Sequence, residues 1–365
     1  MKTCGNRNYR KWLALMVSGG LAVTALAGCG GSDGGTEQSA QTEVSEGIKT
    51  AAEDNKVTTF ALLDGSEESE IYVEPIADLP DDFIRGMDAS AVLSLENSGV
   101  TYYNYEGKEQ DVFETLAQSG VNYIRLRVWN DPYDADGNGY GGGNNDVATA
   151  VALGKRATAY SMKVCVDFHY SDFWADPKRQ HAPKAWEGMS ASEKSEALYD
   201  FTKESLAELL DAGVDVGMVQ VGNEINGGMA GEWSTNGRNQ LMNAGSAAVR
   251  ATLPDALVAV HFTNVSQSDA KKYIREVCDG DTPVDFDVMA YSYYSYWHGS
   301  LENLSELMAD VRENFGKDVF IAETSYPFTT NNLDTHPNSV PNEWCDMKQD
   351  ISRDGQAADF RETVE

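Results

Sequence analysis

Seven short apolar segments alternate with longer amphipathic segments along most of the chain, and this alternation constrains the fold more than any other feature. The apolar segments are residues 83–88, 122–129, 163–169, 216–224, 257–263, 286–294 and 318–327. The amphipathic segments include residues 108–120, 144–161, 190–213, 239–253 and 300–316. Short apolar runs are typical of strands buried on both faces, and the longer segments have the period of helices. Their alternation predicts an α/β domain with a parallel sheet.

A closed barrel of eight strand–helix units, the (β/α)8 or TIM barrel, fits the region 81–365 better than an open sheet does. No GxGxxG motif follows the first strand, so a dinucleotide-binding sheet has no support. After the seventh predicted strand, residues 356–365 have a helical pattern and no eighth strand can be assigned. We therefore expect a TIM barrel that is truncated before its eighth strand, in a chain whose natural sequence continues.

The first 29 residues have the pattern of an export signal. Four basic residues precede an apolar run, residues 12–28, that is too short for a stable membrane span. The run ends in "LAGC", which resembles a bacterial lipobox and implies a lipid on Cys29. An ordinary secretory signal that is cut near Gly28 is the alternative. Both interpretations place the mature protein outside the cytoplasm, and the first anchors it to the bacterial cell membrane.

Residues 30–80 are rich in glycine, serine and acidic residues and predict a flexible linker between the lipid and the domain. The formal net charge of the whole chain is −30. Charge of this sign repels phosphates, which argues against nucleic acid and anionic lipid headgroups as partners. We expect a monomer that acts on a neutral or soluble substrate.

Three cysteines lie beyond the leader, Cys165, Cys278 and Cys345, and none of them forms a CxxC motif. An odd number without this spacing predicts no essential disulfide. Cys165 lies within an apolar run, which favours a small core residue over a metal ligand.

The active site of a parallel barrel lies at the carboxyl ends of its strands. Nearly every predicted strand ends in polar or aromatic residues. These residues are Asp88, Arg127, Trp129, Asn130, Asp167, His169, Tyr170, Asn223, Glu224, His261, Asn264, Tyr291, Tyr293, Tyr296, Trp297 and Glu323. This concentration predicts an active site at that end of the barrel.

Two of these residues are glutamates on different strands. Glu224 ends the fourth predicted strand and Glu323 ends the apolar part of the seventh. Two carboxyl groups on either side of a glycosidic oxygen can divide the chemistry, because one donates a proton while the other attacks the anomeric carbon. Asn223 could bind a sugar 2-hydroxyl. The alternative for each glutamate is a structural ion pair with an arginine such as Arg127.

Aromatic residues in the loops after the strands predict contact with sugar faces, with core packing as the alternative. They are Trp129, Trp174, Trp186, Tyr293, Tyr296 and Trp297. His169 invites a metal site, but the first strand lacks the histidine pair of metal-dependent hydrolases with this fold. No GxSxG motif supports an esterase. We expect no catalytic metal or other catalytic cofactor.

Several longer motifs, in this order, resemble those of glycoside hydrolase family 53, the arabinogalactan endo-β-1,4-galactanases. They are "RGMDASAVLSLENSG", "IRLRVWNDPYDADGNGYGGGNND", "VDFHYSDFWADP", "KAWEG", "VQVGNEINGG", "AVHFTN", "YSYYSYWHG" and "FIAETSYPFT". The resemblance implies a retaining (β/α)8 enzyme in which Glu224 is the acid/base and Glu323 the nucleophile. It also implies that galactan-binding residues line the site, namely Arg127, His169, Asn223, His261, Tyr293, Trp174 and Trp297.

The resemblance further implies a structural calcium ion in the loop after the seventh strand. The ligands there would be Asp334, the backbone carbonyl of His336, and Asn338. Two alternatives to a galactanase of type I arabinogalactan remain open. One is another retaining endo-glycanase of the same clan, such as a β-mannanase, and the other is a surface lipoprotein that binds galactan without cutting it.

Overall fold

The computed structural model describes residues 82–331 and 338–365, residues 76, 79 and 80, and the backbone of residues 13–17; the side chains of residues 267 and 268 lie outside it. Eight parallel strands form one closed barrel in sequence order. The strands are β1 Leu13–Val17, β2 Ile84–Asp88, β3 Tyr123–Val128, β4 Lys163–Phe168, β5 Val216–Val221, β6 Leu257–Phe262, β7 Val288–Ser292 and β8 Asp318–Glu323.

The seven strands predicted from the sequence are confirmed as β2 to β8, but six of them end earlier than predicted, and the difference is largest for β5 and β8. β5 stops before Gly222, whose φ of 92° turns the chain out of the sheet. A Cβ atom at this position would lie 2.7 Å from Ile225 Cγ2, so only glycine fits. β8 stops at Glu323, the residue that pairs with the last residue of β7, Ser292. Beyond that point it has no neighbouring strand to continue the ladder.

β1 lies between β2 and β8 and pairs in parallel with both. The sequence predicts this segment as part of the leader, not as a strand. It occupies the gap that seven strands leave in a barrel of eight. Cleavage before Cys29 would remove it, so this closure belongs to the uncleaved chain. Within residues 324–331 and 338–365 no further strand follows β8.

The helices alternate with the strands as predicted. They are α1 Val92–Asn97, α2 Val112–Gln118, α3 Val147–Ala159, α4 Ala191–Asp211, α5 Thr235–Thr252, α6 Gln267–Cys278, α7 Leu301–Phe315 and α8 Arg353–Val364, with a 3-10 turn at Lys184–Trp186. Six of them begin after a residue whose side chain accepts a backbone N–H of the first turn: Asp111, Asp146, Ser190, Ser234, Ser300 and Ser352. None of the helices in the described residues is long and apolar enough to span a membrane.

The apolar core has two layers, one inside the barrel and one between the strands and the helices. The inner layer consists of Ile84, Tyr123, Cys165, Met218, Ala259, Val288, Ala290, Phe320 and Ala322. Cys165 is fully buried there, which confirms its prediction as a core residue. Gly217 leaves room for the Tyr123 hydroxyl, which would lie 2.0 Å from an added Cβ atom. This packed interior supports the mouth of the barrel, where the strands end.

Candidate active site

The two glutamates meet at the mouth of the barrel from strands that are three positions apart. Glu323 is the last residue of β8, and Glu224 follows β5 after a two-residue turn. β6 and β7 lie between these strands, so the glutamates do not face each other across the full diameter. Their convergence over β6 and β7 places side chains of those two strands against the carboxyl groups.

Arg125, on β3, is the charged residue at the centre of this mouth. Its Nη2 lies 2.8 Å from Asp167 Oδ2 and 3.0 Å from Glu323 Oε1, and its Nη1 lies 3.3 Å from Asp88 Oδ2. Nη2 also donates to Asn223 Oδ1 at 2.9 Å. The guanidinium is fully buried and therefore attracts these carboxylates with little screening by water.

The surroundings of Glu323 favour its ionised form. Burial alone would raise the pKa of this carboxyl, but the charge of Arg125 and a hydrogen bond from Tyr294 hold the pKa below its ordinary value. The Tyr294 hydroxyl donates to Oε2 at 2.8 Å while Arg125 donates to Oε1. Both oxygens thus accept hydrogen bonds that fix the orientation of the carboxylate.

The surroundings of Glu224 favour its protonated form. Burial raises the pKa of this carboxyl well above its usual range, and the negative charge of Glu323 raises it further. The opposing effects of a Ser292 hydrogen bond and the Arg125 charge are smaller. Two glutamates in one site are therefore driven to opposite protonation states.

Glu224 also has an uncommon backbone conformation. Its φ is 46°, in the left-handed region that residues other than glycine seldom adopt. Such a conformation costs about 1–2 kcal/mol. Its backbone N–H donates to His261 Nδ1 at 3.2 Å, and its side-chain Oε1 accepts from the Ser292 hydroxyl at 2.8 Å. These contacts hold both the main chain and the carboxyl group in place.

Asn223 and His169 lie at the site, and their contacts are with protein groups. The Asn223 amide donates to the backbone carbonyl of Ala175 at 2.9 Å. His169 Nδ1 accepts the Ala175 N–H at 3.0 Å, and its Nε2 lies 3.1 Å from Asp167 Oδ2. Since both ring nitrogens of His169 have partners, this residue fixes the loop after β4.

Two residues predicted for substrate contact have partners within the protein. Arg127 was considered as an ion-pair partner for a glutamate, but Arg125 has that position. The Arg127 guanidinium instead lies over the Trp174 ring, with Cζ 4.1 Å from the centroid. Tyr293 packs in the outer core and donates its hydroxyl to the Gly299 carbonyl at 3.1 Å, whereas Tyr294 contacts Glu323.

The alternation of side chains along a strand separates Tyr293 from Tyr294, and depth in the barrel separates Arg127 from Arg125. Residues two apart share a face, so Arg125 and Arg127 both point inward, but Arg125 lies deeper in the barrel. By the same rule Ser292 and Tyr294 share the inner face, while Tyr293 faces the helices. Sequence analysis missed Arg125, Ser292, Tyr294 and also Gln220, whose amide donates to Asp167 Oδ1 at 2.6 Å.

The aromatic residues divide into buried and accessible groups. Trp129, Trp186, Tyr293 and Tyr296 are buried, as the packing alternative predicts. Trp174 and Trp297 are 37% and 45% exposed and lie in the loops after β4 and β7. Trp174 packs against Trp129 and His169, and Trp297 against Tyr294. The structure thus offers two ring surfaces beside the carboxyl groups.

The predicted calcium loop lies mostly outside the described residues, which exclude Asp334 and His336. Asn338 is exposed, and its side-chain nitrogen donates to the carbonyl of Asn331 at 3.2 Å. Within the described part of the chain, no group of three or more His, Cys, Asp or Glu residues could hold a metal ion. The calcium site stays a prediction.

A parallel barrel whose mouth holds one protonated and one ionised carboxyl group has the architecture and the chemistry of a glycosidase. The sequence model for Glycosyl hydrolase family 53 matches residues 84–365. The chain belongs to this family, and the family resemblance seen in the sequence motifs is confirmed.

Individual relatives agree with this assignment. The chain is 51% identical over 296 residues to an endo-beta-1,4-galactanase of Bacillus subtilis (strain 168), a match that covers 81% of this chain and 69% of the relative. It is 33% identical to an arabinogalactan endo-beta-1,4-galactanase of Cellvibrio japonicus (strain Ueda107), over 70% of this chain and 69% of the relative. Among solved structures, the GH53 catalytic domain of Ignisphaera aggregans superposes with a TM-score of 0.77 at 36% identity, covering 80% of this chain and 83% of that domain.

Arg125→Met tests the electrostatic centre of the site. Loss of the guanidinium should raise the pKa of Glu323, so the acidic limb of the pH profile of kcat/KM should move to higher pH. The free energy of unfolding should fall by about 3–5 kcal/mol, because buried carboxylates lose their counter-charge. Arg127→Met is the matched control and should leave the acidic limb in place. An unchanged limb in Arg125→Met would show that another group controls the ionisation of Glu323.

Proposed function

We propose that this protein is a retaining endo-β-1,4-galactanase that acts on type I arabinogalactan, with Glu323 as nucleophile and Glu224 as acid/base. The observation that carries the proposal is the opposite shift of the two pKa values, downward for Glu323 and upward for Glu224. A retaining glycosidase needs an ionised and a protonated carboxyl at the start of its cycle. The galactanase names of the relatives supply the substrate class.

In the first step the Glu323 carboxylate attacks the anomeric carbon and the bond to the leaving oxygen breaks. Glu224 transfers its proton to that oxygen, which leaves as a neutral hydroxyl, and a covalent glycosyl ester forms on Glu323. Arg125 and Tyr294 keep the attacking carboxylate ionised and oriented. Positive charge that develops at the sugar ring is stabilised by the surrounding carboxylates.

In the second step Glu224, now ionised, removes a proton from water, and the water oxygen attacks the same anomeric carbon. The ester bond to Glu323 breaks, and the product keeps the original configuration. Esterification has meanwhile removed the negative charge that raises the pKa of Glu224. The pKa of Glu224 therefore falls in this step, so its carboxylate stays ionised until it takes the proton from water.

The charge of the site favours a neutral polysaccharide. Asp88, Asp167 and Glu323 surround Arg125, so carboxylates outnumber the central cation. A uronic acid in the cleft would add a like charge at short range. Galactan carries no charge, and its sugar faces can stack on the exposed rings of Trp174 and Trp297.

The two alternatives have less support. A mannanase of the same clan would share the carboxyl pair, but the relative that is 51% identical is named an endo-beta-1,4-galactanase. A galactan-binding lipoprotein without activity would not require one glutamate to be held protonated beside an ionised one. The pKa difference is thus the feature that favours an enzyme over a binding protein.

Glu323→Gln and Glu224→Ala test the function, with galactan and mannan as parallel substrates. We expect the parent to release short galacto-oligosaccharides from galactan and little from mannan. Each variant should lose about 10²- to 10⁴-fold in reducing-sugar release, as expected when a catalytic carboxyl group is removed. Proton NMR of the first products should show retained anomeric configuration.

Azide distinguishes the two roles. It should restore turnover of an activated aryl galactoside by Glu224→Ala and yield the β-configured galactosyl azide, since the ester intermediate still forms. Inverted first products from the parent enzyme would rule out double displacement, and preferential cleavage of mannan would favour the alternative substrate.

We also propose that the mature protein begins at a lipidated Cys29, with residues 30–80 as a linker that holds a monomeric enzyme away from the outer face of the cell membrane. Support comes from the "LAGC" sequence and from the glycine- and serine-rich stretch after it. Cys29→Ser should move the protein from the membrane fraction to the medium and abolish incorporation of labelled fatty acid. An unchanged distribution would favour the ordinary secretory signal.

A structural calcium ion is proposed for the loop that contains Asp334, His336 and Asn338, because oxygen ligands of this kind suit calcium. Asn338 already ties this loop back to Asn331. Calcium in excess over chelator should raise the unfolding temperature of the parent by several degrees, since a ligand that binds only the folded state stabilises it. Asp334→Ala should lose most of this response. A parent that does not respond to calcium would contradict the proposal.

A further inference from the structure

Ser292 and His261 connect the side chain of Glu224 to its own backbone. The Ser292 hydroxyl donates to Glu224 Oε1 at 2.8 Å. His261 Nε2 lies 2.9 Å from the same Ser292 oxygen, and His261 Nδ1 lies 3.2 Å from the Glu224 backbone nitrogen. Both residues are fully buried, on β7 and β6, between the two strands that carry the glutamates. Neither has a role in the chemical steps described above.

The direction of each hydrogen bond follows from one donor that cannot change. A backbone N–H can only donate, so His261 Nδ1 is the acceptor of the Glu224 N–H. The Gln220 amide nitrogen, a second donor, lies 3.0 Å from the same Nδ1. Asn223 Oδ1 also lies 3.0 Å from Nδ1, and this oxygen accepts its hydrogen bond from Arg125 Nη2 instead. Burial lowers the pKa of His261 to about 4, so the ring is neutral at higher pH and carries its single hydrogen on Nε2. That hydrogen points to the Ser292 oxygen, which leaves the hydroxyl hydrogen of Ser292 for Glu224 Oε1.

We propose that Ser292 and His261 are positioning residues that keep Oε1 of Glu224 as the hydrogen-bond acceptor, so that Oε2 carries the proton delivered to the leaving oxygen. This inference rests on the proposed acid/base role of Glu224. The last torsion of a glutamate side chain is soft and nearly twofold, so an unrestrained carboxyl exchanges its two oxygens easily. The Ser292 hydroxyl removes this exchange, and His261 orients that hydroxyl.

The charged groups that face Glu224 allow a further readout. Glu323 and Asp176 raise its pKa, while Arg125 and the Ser292 hydrogen bond lower it, and His261 is neutral. Removal of the Ser292 hydroxyl should therefore raise the pKa of Glu224 and move the basic limb of the pH profile to higher pH. Simple loosening of the site would admit water and move that limb in the opposite direction.

Ser292→Ala is compared with Ser292→Thr, which keeps the hydroxyl, and with Ser246→Ala, a buried serine of α5 outside the site. The readout is kcat/KM for galactan and for aryl β-galactobiosides with good and poor leaving groups. Ser292→Ala should lose about 10- to 100-fold on galactan and on poor leaving groups. It should lose less than about 3-fold on 2,4-dinitrophenyl galactobioside, which departs without protonation. Ser246→Ala should match the parent, and Ser292→Thr should recover most of the loss.

His261→Leu completes the comparison as a single variant and combined with Ser292→Ala. His261 also accepts the Glu224 backbone N–H, so His261→Leu should lose at least as much on galactan as Ser292→Ala. Because the effect of His261 on Oε1 passes through Ser292, the double variant should lose no more than His261→Leu. Additive losses would overturn the role of His261. Equal losses by Ser292→Ala on all leaving groups, or a basic limb displaced to lower pH, would overturn the role of Ser292.

Glu224→Ala is measured on the same substrates to separate this inference from the proposed function. If Glu224→Ala shows the leaving-group dependence and Ser292→Ala does not, the acid/base assignment stands and the positioning role is wrong. If Glu224→Ala shows no such dependence, the acid/base assignment itself fails.

Discussion

The cluster of Arg125 with Asp88, Asp167 and Glu323 is the interaction on which the rest of the site depends. A guanidinium suits a buried position among three carboxylates, because its donors form a rigid fork and its charge is not lost at any working pH. Without this cation the carboxylates would be protonated or hydrated. Three strand ends, those of β2, β4 and β8, would then lack the charge that holds them together.

The division of labour between the two glutamates follows from this cluster. Arg125 touches Glu323 directly and keeps it ionised. The ionised Glu323 is in turn one of the causes that raise the pKa of Glu224. The buried cation therefore keeps Glu323 ionised, and the charge of Glu323 adds to the effect of burial on the pKa of Glu224. The two residues of β6 and β7 that hold Glu224 then determine which of its oxygens faces the leaving group.

Much of this arrangement can be predicted from the sequence. The seven strands, the parallel barrel architecture and the two glutamates at strand ends follow from apolar periodicity and from the rule that parallel barrels carry their sites at one end. The residues that support the glutamates were harder to identify. Arg125 and Tyr294 each lie close in sequence to a residue that was chosen instead, because the end of a strand, and hence the face of each side chain, is uncertain by one or two positions.

Other features could not be read from the pattern at all. Ser292 has a small polar side chain in an apolar strand. The sequence alone does not show whether such a serine contacts a functional group or only fills space in the core. Its role depends on the register of β7 against β8, which places it beside Glu323, and on His261 from another strand. The strand β1 was missed for a different reason, since an apolar run with basic residues before it has the same composition as a leader.

The left-handed backbone of Glu224 has a consequence for how stability and activity are related in this chain. Glycine, and to a lesser degree asparagine, adopts this conformation with less strain. Neither residue has a side-chain carboxyl group, so neither would place a second carboxyl group beside Glu323. The fold thus tolerates at position 224 both a conformational penalty and an electrostatic one, and neither contributes to folding. Selection for thermal stability alone would replace this residue. Its presence in the barrel therefore indicates that stability is given up at this position for catalytic activity.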